Sequence, residues 1–324
     1  MTQVNDILQA GVKAHTHGDL ESAVEAYQSV IEIDSANATA HNNLGFVFGQ
    51  LTQWQQAKFH LEEAIRLDDQ LAIAYANLGQ ILAAMGDSQQ GIAFLQNALE
   101  LEPENPDHWN NLARIFFATN QFENAEYSWH RALSLDTTNI EFMTKMATAM
   151  VAQQRYAEAH KMFDCAIQIN PNHQEAWAQK GIALFLEQNY GDCKKCLLKA
   201  LEINPEDYTA LKHLSLTHIA CGEQRQAIDY MFALNQKFPE DNAVACDLAV
   251  LELSIGEKES ARERLSLLRE KSHESKLTYY YAISLKETGG DNELIKPLLQ
   301  EIIDREGDEY RERAIESLKS LVAN

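Results

Sequence analysis

Proline is scarce in this 324-residue chain, with six residues, and glycine stands at only fourteen. That composition excludes collagen-like and low-complexity polypeptides. Long apolar runs are missing too. No stretch supplies the roughly 18 consecutive apolar residues of a membrane helix, and the opening MTQVNDILQAGVKAHTHGD lacks the basic-then-apolar order of a secretory leader. The expectation is a cytoplasmic protein without membrane insertion. The five cysteines, Cys165, Cys193, Cys196, Cys221 and Cys246, are an odd number confined to one half of the chain, which is no disulfide framework.

Metal and catalytic signatures are equally thin. Cys193-x-x-Cys196 has no second pair to complete a four-ligand zinc site, and the pairs His15/His17 and His213/His218 have no third ligand at helical spacing. Neither a glycine-rich phosphate loop nor a G-x-S-x-G elbow occurs. We therefore expect no cofactor, no metal and no enzymatic activity. Cations are in short supply as well: 27 Lys and Arg face 48 Asp and Glu, a net charge of −21, and residues 1–140 hold 5 against 18. Nucleic acid is excluded as a partner by that balance, since binding a polyanion requires clustered cations to displace its counterions.

What the chain has is apolar content, 45% of its residues, arranged with a fixed period of 34. Units starting at Val4, Ala38, Ala72, Pro106, Ile140, Gln174, Tyr208 and Asn242 share one register, and a ninth starts at Ser275 after a single deletion. Position 8 is small in every unit, as in Gly11, Gly45, Gly79, Ala113, Gly181 and Ala249. Position 20 is small in eight units, as in Ala23, Ala57, Gly91 and Cys193, with Leu294 the exception. Two small residues twelve apart mark a crossing of two helices too close for larger side chains. Apolar residues such as Leu44, Leu78 and Leu112 at position 7, and Leu61, Leu95 and Leu197 at position 24, fill the complementary places. Gly18, Gly86, Gly222, Gly256 and Gly289 at position 15 suit a left-handed helix end. Pro103, Pro171, Pro205 and Pro239 at position 32 stop the second helix.

This pattern resembles the tetratricopeptide repeat family, whose helix-turn-helix signature is nearly spelled out by Tyr75, Leu78, Gly79, Leu82, Gly91, Leu95, Ala98 and Pro103. The resemblance runs from Val4 to Asp304. It implies an all-α fold, a right-handed α-solenoid superhelix of nine helix-turn-helix units that forms a single domain over 1–324. Residues 308–322 read as an amphipathic capping helix with Tyr310, Ala314, Leu318 and Leu321 on one stripe, placed to cover the last repeat. Pro297 requires either a late start or a kink in the second helix of the ninth unit.

In such solenoids positions 2, 5, 6, 9, 12 and 13 of the first helix face the groove. Position 6 is Asn43, Asn77 and Asn111 in three successive units, with Asn42 and Asn110 beside them at position 5. Asparagine is a poor helix former, so three in register require another reason. One reading is a ladder of amides, each with donors and an acceptor for the backbone of an extended peptide, similar to the asparagine ladder of O-GlcNAc transferase. The other is that they cross-link neighbouring helices. Position 6 then changes to Lys145, and apolar residues such as Phe117, Phe185 and Ile219 enter the groove positions, with Arg114 at position 9. No three consecutive units carry the Lys, Asn and Arg set of the chaperone carboxylate clamp. The expected function is a non-enzymatic scaffold holding a partner peptide on Asn42, Asn43, Asn77, Asn110, Asn111, Arg114, Phe117, Lys145, Phe185 and Ile219. The alternatives are a self-associating structural protein, which would be a homo-oligomer, and an accessory subunit of a glycosyltransferase, secretion or pilus machine.

Overall fold

A computed structural model of the chain describes residues 2–322. It contains nineteen α-helices, with no strand among the described residues. The helices gather into two compact units, residues 1–171 and 172–324.

The first unit is five helical hairpins: α1 (Thr2–Thr16) with α2 (Leu20–Ile33), α3 (Ala38–Gln50) with α4 (Trp54–Leu67), α5 (Ala72–Ala84) with α6 (Ser88–Leu101), α7 (Pro106–Ala118) with α8 (Phe122–Leu135), and α9 (Ile140–Ala152) with α10 (Tyr156–Ile169). From α3 onward each first helix begins at the residue the 34-residue period assigns. Local chemistry fixes these starts: Asn37, Asn105 and Asn139 accept backbone N–H bonds as N-caps, and Pro106 occupies the first turn of α7, where its missing N–H costs nothing. Within this unit α2, α4, α6 and α8 each pack on the first helix of the next hairpin. First helices also touch one another, α3 on α5 and α5 on α7, while successive second helices make no comparable contact. The first helices therefore crowd together on the inner side of the stack.

The small positions lie at the crossings. A Cβ added to Gly45 would sit 2.7 Å from Leu61 Cγ, and one added to Gly79 would meet the Gly91 carbonyl oxygen at 2.7 Å and Leu95 Cγ at 2.9 Å. Around them Tyr27, Leu44, Leu61 and Leu78 are fully buried, each Leu contributing on the order of 1.5–3 kcal/mol by its removal from water. Between α3 and α4, His41 Nδ1 and His60 Nδ1 stand 3.0 Å apart, and the His60 ring stacks on Phe48 with centroids 5.6 Å apart. Burial, then the neighbouring His41, lowers the His60 pKa to about 4, against the opposing pull of Glu63.

The second unit is four hairpins and a cap: α11 (Gln174–Leu186) with α12 (Tyr190–Ile203), α13 (Tyr208–Ala220) with α14 (Gln224–Lys237), α15 (Asn242–Ser254) with α16 (Lys258–Lys271), α17 (Ser275–Glu287) with α18 (Asn292–Ile303), and α19 (Arg311–Val322). Asp207 and Asp241 cap α13 and α15. A Cβ on Gly181 would meet Leu197 at 2.7 Å, the same crossing as in the first unit. Cys193, at the small position of α12, is fully buried with its Sγ 3.3 Å from Thr217 Oγ1, and burial pushes its thiol pKa up. It is a packing residue.

Two sequence expectations need correction in the last hairpin. The link into α17 is one residue shorter than elsewhere and the turn after it one residue longer, through Gly289 and Gly290, so α18 starts one place later in the register. Leu294 is then 61% exposed, and Ile295, 1% exposed, takes the crossing position. Leu294 is therefore not at the crossing, and the exception to the small-residue rule is Ile295. Pro297 lies inside α18, one turn beyond its start at Asn292. The capping helix spans Arg311–Val322 rather than 308–322. Its Ala314 and Leu321, with Tyr310 just ahead, are buried against Leu285, Ile295, Leu299 and Ile302.

Position 15 holds a positive φ in all nine hairpins. Five are glycines with φ from 76° to 93°; the others are Thr52, Asn120, Gln154 and Gln188 with φ from 58° to 61°. The geometry of the hairpin, rather than glycine itself, sets this conformation.

Candidate functional site

The inner side of the first unit presents positions 2, 6, 9 and 13 of α3, α5, α7 and α9. None of α3 or α5 is charged. Asp107 and Glu141 stand in the first turns of α7 and α9, where the helix dipole favours an anion. Arg114 and Lys145 are the only Lys or Arg on these four helices. The carboxylates of this unit otherwise lie on loops and other helices.

The amides divide into two kinds. Asn77 and Asn42, each 6% exposed, bridge α5 and α3: Asn77 Nδ2 donates to Asn42 Oδ1 at 2.9 Å, and Asn42 Nδ2 donates to Asn43 Oδ1 at 3.1 Å. Asn43 also hydrogen-bonds the Tyr27 side chain; burial raises the Tyr27 pKa, and this bond opposes it. A polar chain thus runs from α2 through α3 to α5. Asn110 accepts from Trp129 Nε1 at 2.9 Å within its own hairpin. Asn111 is half-buried and has no side-chain hydrogen bond among the described residues. The cross-linking reading holds for Asn42, Asn77 and Asn110, whereas Asn111 keeps all its donors and its acceptor.

The remaining site residues are distributed over both units. Arg114 is exposed and has no ion-pair partner among the described residues, and half-buried Lys145 occupies position 6 of the next first helix. Phe117 turns into its own hairpin, 5.4 Å from Phe122 and 5.7 Å from Trp129 between centroids. In the second unit Phe185 lies 5.8 Å from Tyr190 of its own hairpin and 6.3 Å from His213 on α13. Each supports a wall rather than projecting as a free anchor. Ile219 is 39% exposed on α13. In the second unit position 9 is apolar throughout, Ile182, Leu216, Val250 and Ile283, all half-buried. At position 6 Asp247 pairs with Lys276 at 2.5 Å.

Sequence reasoning missed Ile73, 43% exposed at position 2 of α5, and Phe46, exposed at position 9 of α3. Their index in the repeat was the available signal, and it was outweighed by attention to the amides. Among the described residues no helix is long and apolar enough to cross a membrane, and no group of three or more His, Cys, Asp or Glu is placed to hold a metal ion.

Helical hairpins of 34 residues, small residues at the crossings of eight of them and a crowded row of first helices define a helical repeat array. Family comparison agrees: a TPR repeat profile matches residues 15–51, and a tetratricopeptide repeat profile matches 82–127 and 150–216. The chain is a tetratricopeptide-repeat protein. Among solved structures it is similar to a tetratricopeptide repeat protein from Parabacteroides merdae, with 14% identity over 78% of this chain and 100% of that one, TM-score 0.64. It is also similar to PilF of Pseudomonas aeruginosa (19% identity, 64% and 93% covered, TM-score 0.53). A third similar structure is the C-terminal part of a TPR repeat-containing protein from Cytophaga hutchinsonii (14% identity, 73% and 97% covered, TM-score 0.53). At these identities the likeness is one of fold. No curated protein matches the sequence. Arrays of this fold serve as protein–protein interaction scaffolds and are generally not catalytic.

Proposed function

We propose that the protein is a non-enzymatic scaffold that holds an extended segment of a partner protein along the inner side of its first unit. The observation that carries this reading is Asn111: a half-buried carboxamide on the crowded side of the stack, at the same index as Asn77, with every hydrogen-bonding group unspent. Amides that recur once per hairpin meet a backbone whatever side chains it carries, while exposed Phe46 and Ile73 add apolar surface beside them. Asn43 and Asn77 contribute less freely, since part of their capacity is used within the fold.

Asn111→Ala tests this without disturbing an internal bond. An array of random dodecapeptides with both termini blocked, probed with the full chain, should retain a subset of sequences. Asn111→Ala should weaken those about tenfold, the loss of one or two hydrogen bonds to a desolvated backbone, with the melting temperature unchanged within a few degrees. Equal retention by both proteins would refute the reading.

A further inference from the structure

Resting on that reading, we infer that Asn42 is a positioning residue: it clasps Asn43 and Asn77 in one orientation, so that Asn77 meets the segment with its carbonyl oxygen and Asn43 with an amide N–H. Position 5 of α3 lies between two successive rungs of position 6. Asn42, 6% exposed, spends both ends of its amide there. Its Oδ1 accepts from Asn77 Nδ2 at 2.9 Å, and its Nδ2 donates to Asn43 Oδ1 at 3.1 Å. Position 5 of α5 is Ala76, fully buried, which offers a methyl and no hydrogen bond. The clasp therefore joins Asn43 to Asn77 and stops short of Asn111.

A free carboxamide shows either its N–H groups or its oxygen by turning end for end, whereas one bonded at a given end shows the other. Asn77 commits Nδ2 to Asn42. Its Oδ1 has no partner among the described residues, and the atom is not closed off from solvent. Asn43 commits Oδ1 to Asn42. Its Nδ2 is turned to Tyr27; their bond favours the ionised phenol, so Asn43 is the donor, and the second N–H of the group is left over. Turning Asn77 alone would set oxygen against oxygen at Asn42, and turning Asn43 alone would set N–H against N–H. The clasped pair thus asks the segment for an N–H at Asn77 and a C=O at Asn43, while unclasped Asn111 accommodates either.

The test uses the full chain and the tightest of the blocked dodecapeptides it retains. Each backbone amide of that peptide is replaced in turn by an ester, which deletes one N–H. An ester that costs the native protein about tenfold but costs Asn77→Ala nothing marks the N–H received by Asn77. A second, whose penalty vanishes in Asn111→Ala, marks the contact at Asn111. Asn42→Ala gives α3 the residue that α5 already carries at position 5. It should cut the first penalty to about threefold or less and leave the second at about tenfold, the latter also showing that the variant is folded. Asn42→Asp keeps the acceptor that holds Asn77, so the first penalty should survive there; its loss would point to disturbed packing and overturn the inference. An undiminished first penalty in Asn42→Ala would overturn it as well, and so would peptides that depend on Asn111 with no ester penalty that depends on Asn77. These results leave the scaffold reading standing, whereas an array on which no peptide is retained would defeat both.

Discussion

The close crossing of α5 and α6 gives the sharpest test of how this fold is built. At Gly79 two effects of adding a methyl oppose each other. In the interior of α5, Ala should gain about 1 kcal/mol of helix propensity over Gly. The new Cβ, however, would lie 2.7 Å from the Gly91 carbonyl oxygen and 2.9 Å from Leu95 Cγ. The first obstacle is backbone, which cannot rotate aside, so α5 and α6 must separate, at an overpacking cost of about 1–3 kcal/mol. Gly79→Ala should therefore destabilise by up to about 2 kcal/mol net. Gly191 in α12 is the counterpart, since a Cβ there meets nothing within 4 Å; Gly191→Ala should stabilise by up to about 1 kcal/mol. Urea unfolding followed by circular dichroism measures both, and hydrogen exchange should place the Gly79→Ala loss in α5 and α6. If Gly79→Ala proved more stable than the native chain, as Gly191→Ala should be, the close-crossing argument would be refuted.

Two further expectations concern the first unit. Thr52 holds a left-handed φ of 58° at the same index as Gly86; Thr52→Gly should stabilise by about 0.5–1 kcal/mol as the strain of a β-branched residue outweighs the entropy of glycine, and a lower urea midpoint would contradict this. His60 should make stability depend on pH. An unfolded histidine takes its proton near 6.5, while folded His60 holds off until about 4, so the unfolded chain binds more protons in between. The contribution is complete above pH 6.5 and declines as pH falls toward 4. His60→Gln should flatten the pH dependence in that window, and an unaltered slope would show that other groups govern it.

Much of this architecture could be read before any coordinates. The helix starts at Ala38, Ala72, Pro106, Ile140, Gln174, Tyr208 and Asn242 follow from the period alone, and Ser275 from the period with one deletion, because a small residue at a crossing and an apolar residue opposite it constrain composition directly. Left-handed backbone was legible at five glycines and hidden at Thr52, Asn120, Gln154 and Gln188, where packing of the two helices forces a conformation that composition does not announce. Leu294 was misassigned because a compensating deletion and insertion preserve the overall count while moving the helix start. The amides were the hardest part. Asn42, Asn43, Asn77 and Asn111 share similar repeat indices, yet three take part in a chain spanning α2, α3 and α5 while Asn111 does not. That division depends on side-chain direction and on a tyrosine in the preceding hairpin, neither of which a one-dimensional index carries.

The helix that follows the ninth hairpin bears on how such an array can grow. Tyr310, Ala314 and Leu321 occupy the surface that a tenth hairpin would need, so this end can neither template another unit nor receive the leading hairpin of a second molecule unless α19 is peeled away. A duplicated block of 34 residues placed ahead of the last hairpin would find a matching neighbour on either side and leave the seal untouched.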